Sequence, residues 1–384
     1  MQMIPINLMS FAEFEKTLFS AQNRLNRRLR TLEKLAATDR IYLFGFGGKG
    51  KALAWHIANC AGTEVIVFDS SPEVRDEARK DGFQIVSSLN EIRQTDYGVI
   101  LGACQAQLNQ AALVQTNHIY YQEAAYLFDA PHLANKARDF SNWVLGNIEA
   151  LYGIYASIHP QSRIVLSSVL SFRLSLDPHD LLPCKNANND MWFDVPEQHS
   201  RRNYATFLDI GAYDGDTLLQ AQRRLSVTRG IAVEANASLF DSITQVARFY
   251  QNGIQILPHA AWSHKCRLHF SEVRGGMISV SEADDGELEA APIDESLNEP
   301  VDLMKMDIEG AEIPALTGCL GILKLGPDLA IAAYHRPEDL VQIPAFLSKF
   351  GYISPSFDLH VRHYSECFDD TILYFLRINS EAGR

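Results

Sequence analysis

The sequence has no C-x-x-C pair, no long apolar run and no excess of basic residues. Its 6 cysteines are scattered along the chain, a distribution that indicates neither a zinc site nor a disulfide framework. No apolar run approaches the roughly 20 residues of a membrane-spanning helix, and the first residues lack a charged-then-apolar leader pattern. We therefore expect a cytoplasmic protein with no membrane partner. The 47 acidic and 34 basic residues give a net charge of −13, which argues against nucleic-acid binding.

What the sequence does have is an ordinary globular composition, with 47% hydrophobic and 21% charged residues over 384 positions. This length predicts two or three domains. Apolar strand candidates alternate with helical segments in both halves of the chain, so the expected fold class is α/β with two doubly wound Rossmann-like domains. The predicted boundaries are an N-terminal helix at 1–37, a Rossmann-like domain at 38–135, a helical connector at 136–190 and a second α/β domain at 191–384.

Helical periodicity marks the N-terminal and connecting segments. Ser10 and Glu13 have the spacing of a capping box, and the leucines behind them predict a helix to about residue 36. The segments 144–155 and 164–176 are interpreted as two further helices. The aromatic cluster at 191–193 is interpreted either as a lid over a ligand or as a plug at the domain seam.

The first glycine-rich loop follows an apolar strand at 41–44 and matches G-x-G-x-x-G through Gly45, Gly47 and Gly50. A helix and a strand at 65–68 come next, and the strand ends in Asp69, where the dinucleotide-binding pattern has its ribose acid. In that interpretation Lys49 would meet a phosphate, and Asp69 would favour NAD over NADP. The alternative is that the glycines serve only strand–helix packing, because the pattern predicts the fold better than the ligand.

A second glycine loop follows the apolar strand 207–210, with Gly211 and Gly215 where the backbone must bend tightly. Another strand, at 231–233, ends in Glu234, an acid that can accept hydrogen bonds from ribose hydroxyls. The loop differs from G-x-G-x-x-G and is acidic, a charge that repels a pyrophosphate but suits the cationic sulfonium of S-adenosylmethionine. We predict that ligand here, although aspartates and glycines also build turns without one. The acids in question are Asp209, Asp214 and Asp216.

Past the third strand of this half, at 254–257, small residues and an indole suggest an adenine slot formed by Ala260, Ala261 and Trp262. The alternative for Trp262 is a place in the core. The polar segment 275–286 is expected to be a loop near the mouth of the site. Two strands near the C-terminus, at about 359–364 and 371–376, are expected to close the sheet as an antiparallel pair.

Three ionisable residues alternate along the next strand candidate, so that Lys305, Asp307 and Glu309 would share one face. Charges on a buried strand are costly unless they pair or take part in chemistry. We expect a substrate hydroxyl at this strand end, close to His335 at the end of the following strand. The alternative is a structural Lys305–Asp307 ion pair. A Mg²⁺ ion held by Asp307 and Glu309 would suit the carboxylates, but the spacing does not demand it.

At this point the second half resembles the FkbM-type methyltransferase family over residues 190–378. The stretches that carry the resemblance are 209–217, with Tyr213 in it, 233–236, 305–312, 333–335, 362–365 and 371–374, and Lys-x-Asp-x-Glu-Gly-Ala-Glu at 305–312 is the most specific. The resemblance implies a class I S-adenosylmethionine-dependent methyltransferase fold and O-methylation of a sugar, polyketide or similar hydroxyl. Ala235 stands where the family usually has proline, and the ribose acid before it is kept.

The expected function is therefore O-methylation of a sugar, glycan or small secondary metabolite. Asp209 and the Gly211 backbone, with the loop residues Tyr213, Asp214 and Gly215, would hold the methyl donor. Asp307 or His335 would accept the hydroxyl proton, with Lys305 orienting the acid. The alternatives are an NAD-dependent oxidoreductase that uses the first glycine loop and a non-catalytic nucleotide-sensing module. The expected partner is a small molecule or glycan, and a homo-oligomer is compatible with the sequence.

Overall fold

A computed structural model describes residues 8–37, 39–92, 99–101, 107–114, 118–184, 191–194, 204–273, 277–297 and 299–378. The helices are α1 Phe11–Ala36, α2 Gly48–Cys60, α3 Pro72–Lys80, α4 Gln107–Val114, α5 Tyr121–Leu127, α6 Pro131–Gly146, α7 Ile148–Ser157, α8 Pro160–Ser175, α9 Asp216–Leu225, α10 Phe240–Ala247, α11 Ile293–Ser296, α12 Glu312–Thr317, α13 Leu320–Leu325 and α14 Asp339–Ser348.

The strands are β1 Arg40–Phe44, β2 Glu64–Phe68, β3 Gln84–Ile85, β4 Val99–Leu101, β5 His118–Tyr120, β6 Thr206–Ile210, β7 Arg229–Val233, β8 Ile254–Leu257, β9 Ala260–Ala261, β10 Cys266–Val273, β11 Met277–Glu282, β12 Leu288–Ala291, β13 Leu303–Met306, β14 Asp328–Ala332, β15 Phe357–His363 and β16 Thr371–Arg377. Three short 3₁₀ helices add Leu89–Glu91, Pro178–Cys184 and Ala237–Leu239 to the described part. The predicted α/β class is confirmed.

The first sheet consists of five parallel strands in the order β3-β2-β1-β4-β5. Parallel neighbours need crossover connections, which α2, α4 and their loops supply. The inward faces of β1 and β2 are aliphatic, and α2 packs its small and aliphatic residues on them. The strand order is the one that doubly wound nucleotide-binding folds have around their first strand.

In the sequence, helix α1 precedes the first sheet and helices α6–α8 lie between the two sheets. Together these helices carry much of the largest apolar core. The N-terminal helix predicted to about residue 36 is confirmed, because the Ser10 hydroxyl accepts from the Glu13 amide and the Glu13 carboxylate accepts from the Ser10 amide. The predicted segment 164–176 is helical as far as Ser175, where α8 ends, and α8 packs on α1 and β15. The connector residues predicted at 185–190 lie outside the described ranges.

The second sheet has seven strands in the order β15-β16-β14-β13-β6-β7-β8. Strands β14, β13, β6, β7 and β8 run parallel, and β16 is antiparallel to both β14 and β15. The chain goes from β6 outward to β7 and β8, then returns to the other side of β6 with β13. A ligand site is expected at this reversal, beyond the carboxyl ends of β6 and β13.

A small sheet has the order β11-β10-β12-β9, and its buried side chains cluster with Ile308 and Ala311, which follow β13 of the second sheet. The prediction of a loop at 275–286 is wrong for its described residues up to 282, because Met277–Glu282 pairs antiparallel with residues 268–273. Polar residues alternate with apolar ones in this hairpin, so its composition resembles that of a loop. Residues 275 and 276 of the predicted loop are outside the described ranges.

Direct polar contacts join the two halves. Lys49 of α2 and Lys136 of α6 both bind the carboxylate of Asp369, at 2.5 and 3.1 Å, in the loop between β15 and β16. In the same loop the Glu366 carbonyl accepts from the Gln107 side chain at 3.1 Å. The first half therefore holds the loop that follows β15 in the second sheet. No helix in the described part of the chain has the length and apolar character to cross a bilayer.

Candidate active site

A cavity of about 750 Å³ lies beyond the carboxyl ends of β6, β7 and β13. This is the edge of a parallel sheet where ligands bind. The cavity is lined by the predicted residues Gly211, Tyr213, Glu234, Ala260, Ala261, Lys305, Asp307 and Glu309. Asp209, Asp214, Gly215, Trp262 and His335, which were also predicted, do not line it. Both glycine-turn and strand-end residues from distant parts of the sequence thus meet in one cavity.

Gly211 makes the turn between β6 and the cavity, at a φ of 81°. A Cβ atom at this position would lie 2.1 Å from the carbonyl oxygen of Asp307, so the turn after β6 and the turn after β13 touch backbone to backbone. Only glycine fits both the dihedral angle and this contact. Gly215, at a φ of 87°, precedes α9 and faces α10 rather than the cavity.

Glu234 stands at the end of β7 with both carboxylate oxygens directed by backbone amides. One oxygen accepts from the Tyr213 amide at 2.9 Å and the other from the Asn236 amide at 2.8 Å. Each oxygen keeps a further lone pair, and the side chain lines the cavity. The carboxylate is therefore fixed in place and can still accept hydrogen bonds from a pair of hydroxyls.

Asp209 does not reach the cavity, which corrects its expected role as a direct contact of the methyl donor. Its side chain is fully buried and lies 2.9 Å from the ammonium of Lys305, its register partner on the adjacent strand β13. The same ammonium donates to the Gly211 carbonyl at 2.6 Å. The Lys305–Asp209 pair therefore supports the glycine turn from below, and Lys305 does not orient Asp307 as expected.

The predicted common strand face of Lys305, Asp307 and Glu309 is also wrong, because β13 ends at Met306. Beyond it the backbone turns, with Glu309 at a φ of 57° and Gly310 at 90°. The turn brings both carboxylates to the cavity wall. A strand would have held them in a row along one face of the sheet.

Asp307 is held by aromatic side chains from the end of β14. The Tyr334 hydroxyl donates to its Oδ1 at 3.0 Å, and His335 Nε2 lies 3.4 Å from the same oxygen and 3.6 Å from Glu309. Burial raises the pKa of Tyr334 far above its usual value, and the charge of Asp307 adds to this effect. Tyr334 therefore stays protonated and acts as a donor to Asp307.

His335 is a buried cation at neutral pH. Burial alone would lower its pKa, but the hydrogen bond between Nδ1 and Glu312, at 2.9 Å, and the charges of Asp307 and Glu309 outweigh it and raise the pKa to about 9. A group already protonated at neutral pH cannot accept a substrate proton. This protonation favours Asp307 over His335 as the general base, and the imidazolium of His335 lies among the surrounding carboxylates.

This protonation predicts a loss of stability in alkali. The pKa of His335 rises from 6.5 to about 9 on folding, so its contribution is complete below pH 6.5 and disappears as the pH passes 9. We expect the unfolding free energy to fall by roughly 3 kcal/mol over this interval, and His335→Gln to remove this part of the pH dependence. Chemical denaturation of both proteins from pH 6 to 10 measures it; equal pH profiles would contradict the assignment.

A second buried histidine offers an internal comparison for this titration. Burial, reinforced by the charge of Arg173, lowers the pKa of His363 to about 3, so this imidazole stays neutral throughout the same interval. In an NMR titration we therefore expect the His335 ring signals to move near pH 9 and those of His363 to stay constant.

Of the three residues predicted to form the adenine slot, Ala260 and Ala261 line the cavity and Trp262 does not. The indole of Trp262 is buried in the small sheet, and its Nε1 donates to Glu282 at 2.7 Å, so the core alternative holds for this residue. Apolar side chains from the hairpin line the cavity instead, namely Leu268, Phe270, Val280 and Leu288. None of the four is among the site residues predicted from the sequence, although a short strand is expected at 268–270, and Val280 falls in the loop expected at 275–286. The alternating apolar positions were the available signal.

The aromatic cluster at 191–193 contributes to both of its proposed roles. Met191 and Trp192 line the cavity, whereas Phe193 is buried against β6. The Lys305 ammonium lies 5.1 Å from the centre of the Trp192 ring, a cation–π distance. Trp192 therefore covers the Lys305–Asp209 pair on its cavity side and adopts a φ of 77° in doing so.

Among the glycines of the first loop, Gly50 is the one at which close packing leaves no room for a side chain. A Cβ at Gly50 would lie 2.2 Å from the carbonyl oxygen of Gly45, so α2 approaches the end of β1 as closely as a glycine permits. At Gly47 a Cβ would meet nothing within 4 Å. The packing alternative thus accounts for Gly50, and Gly45 has a φ of 97° that also favours glycine.

The acid and the lysine of this loop already have protein partners. Asp69 accepts from the amides of Phe46 and Ser71, both at 2.9 Å, and Lys49 is bound to Asp369 of the second half. Either residue would have to exchange these partners to meet a ribose or a phosphate. NAD binding at this loop stays a prediction.

The comparisons with known proteins agree on the second half of the chain. Residues 209–354 match a family model described as the Methyltransferase FkbM domain. This match contains the glycine turn at Gly211, the acid Glu234 and the strand end at Asp307. No curated protein sequence matches the chain.

Among solved structures, the chain is similar to the crystal structure of methyltransferase FkbM from Methylobacillus flagellatus KT. The two are 20% identical with a TM-score of 0.71, over 95% of this chain and 100% of that one. This likeness shows the fold, and it extends over nearly the whole chain. Aeropyrum pernix fibrillarin in complex with natively bound S-adenosyl-L-methionine is 14% identical over 47% of this chain and 70% of its own, with a TM-score of 0.31.

Proposed function

We propose that this protein is a methyltransferase that acts on a hydroxyl group of a sugar, glycan or other small molecule. The match of residues 209–354 to the Methyltransferase FkbM domain supports methyl transfer. S-adenosylmethionine supplies, when bound, a methyl group on a positively charged sulfur. The observation that carries the choice of a hydroxyl is Asp307, a carboxylate on the cavity wall fixed by Tyr334 and beside the His335 imidazolium.

The residues of the cavity fit the methyl donor. The close backbone contact at Gly211 leaves no room for a side chain, and the acids that line the cavity suit a cationic sulfonium. Glu234, fixed by two amides, would accept from the ribose hydroxyls. The alanines 260 and 261 and the hairpin side chains, Phe270 among them, would bind the apolar faces of the base.

Asp307 is the proposed proton acceptor. A hydroxyl must lose its proton as its oxygen is alkylated, and a positioned carboxylate at the cavity wall can take it. Tyr334 donates to one oxygen, Oδ1, which leaves Oδ2 for the substrate. His335 cannot compete for this proton, because it is already charged, and its charge keeps Asp307 and Glu309 together on the wall.

Calorimetric titration with S-adenosylmethionine, and separately with NAD, tests the proposed function. We expect heat with the methyl donor and a dissociation constant about 10- to 100-fold higher in Glu234→Gln, because a charged hydrogen bond to the ribose is weakened. Asp241→Asn, an exposed acid on α10, is the matched control and should bind normally. Formation of S-adenosylhomocysteine with a panel of hydroxyl compounds then measures transfer.

Each other outcome points to a different function. Heat with NAD alone would favour the oxidoreductase alternative at the first glycine loop. Donor binding without methyl transfer to any hydroxyl compound would favour a sensing module, and transfer only to amines would retain the methyltransferase but overturn the choice of hydroxyl.

A further inference from the structure

We propose that His264, Cys266 and Glu282 form a zinc-binding site in the small sheet. One ligand atom from each residue lies within 4.8 Å of the other two. Cys266 begins β10, Glu282 ends β11, and His264 lies in the turn that precedes β10. None of the three lines the cavity, so this site is separate from the proposed methyltransferase chemistry.

The strand register explains how the three residues meet. Glu282 is paired with Leu268, two residues after Cys266, so Cys266 and Glu282 are diagonal neighbours on one face of the hairpin. The turn before β10 then places His264 Nε2 at 3.5 Å from Glu282 Oε2. A search for C-x-x-C spacing does not detect such a set, because its members come from two strands joined by a hairpin.

Neighbouring side chains already orient two of the ligands. The Trp262 indole donates to Glu282 Oε1 at 2.7 Å, which leaves Oε2 directed at the histidine. The Ser263 hydroxyl lies 3.0 Å from His264 Nδ1, which leaves Nε2 as the free ring nitrogen. Outer partners of this kind fix the orientation of metal-ligating residues in known metal sites. This arrangement distinguishes the cluster from a chance group of surface side chains.

The donor set selects the class of metal. A thiolate, an imidazole and a carboxylate are typical zinc ligands, whereas Mg²⁺ and Ca²⁺ prefer oxygen ligands alone. Three protein ligands leave the fourth tetrahedral position open to water, since His264 and Glu282 are about half-exposed. A cysteine binds metal as a thiolate, so metal binding at Cys266 releases the thiol proton to solvent.

Bound zinc would join the turn before β10 to the end of β11. The same two strands carry the side chains of Leu268, Phe270 and Val280 that line the cavity. We therefore expect the metal to stabilise the hairpin wall without taking part in the reaction.

Co²⁺ and Zn²⁺ titrations of the full chain test the site. We expect one equivalent of metal to bind, one proton to be released and a sulfur-to-cobalt charge-transfer band to appear. Cys266→Ser should lose that band, and Ser263→Ala should weaken zinc binding about 10- to 100-fold, as outer-partner changes do. Mg²⁺ at the same concentration should cause none of these effects.

The chain offers two matched controls. His269 lies on β10, has the same 57% exposed side chain as His264 and pairs with Glu287 at 2.9 Å. His269→Ala therefore tests for non-specific histidine binding. Cys60, whose sulfur is 3.6 Å from His56 Nδ1, provides the equivalent thiol control as Cys60→Ser. Both variants should bind zinc normally. The proposal is overturned if the wild type binds no equivalent of zinc, or if Cys266→Ser keeps the charge-transfer band.

Discussion

Asp307→Asn is expected to lower kcat about 100- to 10,000-fold, the range that a lost general base typically costs. Asparagine has the same shape and its amide oxygen can still accept from Tyr334, so the turn after β13 should persist. The amide cannot take a proton from a hydroxyl. We therefore expect the dissociation constant for S-adenosylmethionine to change by less than about tenfold, or 1.4 kcal/mol. Single-turnover transfer and calorimetry measure the two quantities.

Glu309→Gln is the matched comparison, because Glu309 is the other carboxylate of the Asp307 turn on the cavity wall. Burial raises the pKa of Glu309, but its described neighbours include no donor equivalent to the Tyr334 hydroxyl. We expect a smaller fall in kcat than in Asp307→Asn. The reverse ranking would move the base to Glu309, and full activity in both variants would remove a carboxylate base from the mechanism.

The parts of the fold that were predicted correctly depend on local sequence. Ser10 and Glu13 place the start of α1, and the glycines at 45 and 211 mark the ends of two central strands, because each turn needs a positive φ. The hairpin of β10 and β11 was not predicted. Its strands alternate polar and apolar residues, and only the pairing of β10 with β11 and with β12 makes them strands.

The site residues that follow directly from the end of an apolar strand were predicted from the sequence. The contacts that depend on which strands lie next to each other were missed. Glu234 and Asp307 each follow an apolar strand, so their place at the sheet edge was accessible from the sequence. The partner of Lys305 was not, because Asp209 lies about 100 positions away and becomes its neighbour only when β13 pairs with β6. The protonation of His335 likewise depends on its hydrogen bond to Glu312, the first residue of α12.

Gly211→Ala is expected to disturb both the cavity and the stability of the domain. The new Cβ would lie 2.1 Å from the Asp307 carbonyl oxygen, and both atoms belong to backbone that the sheet holds, since the Asp307 amide donates to Ile210 at 3.0 Å. Overpacking of this kind and the positive φ of 81° together cost roughly 2 to 4 kcal/mol. We also expect the methyl donor to bind at least about tenfold more weakly, because the two turns that form the cavity floor must separate.

Gly253→Ala separates the two causes. Gly253 has a φ of 70°, close to that of Gly211, but a Cβ there would meet nothing within 4 Å, so only the dihedral cost remains. We expect that variant to lose about 1 to 2 kcal/mol and to bind the donor normally. Denaturant unfolding and calorimetry on the two variants measure the difference. If both lose equal stability and both bind the donor like the wild type, the contact between the turns after β6 and β13 does not shape the cavity. If Gly211→Ala alone weakens donor binding, that backbone contact is what brings Asp307 to the cavity wall.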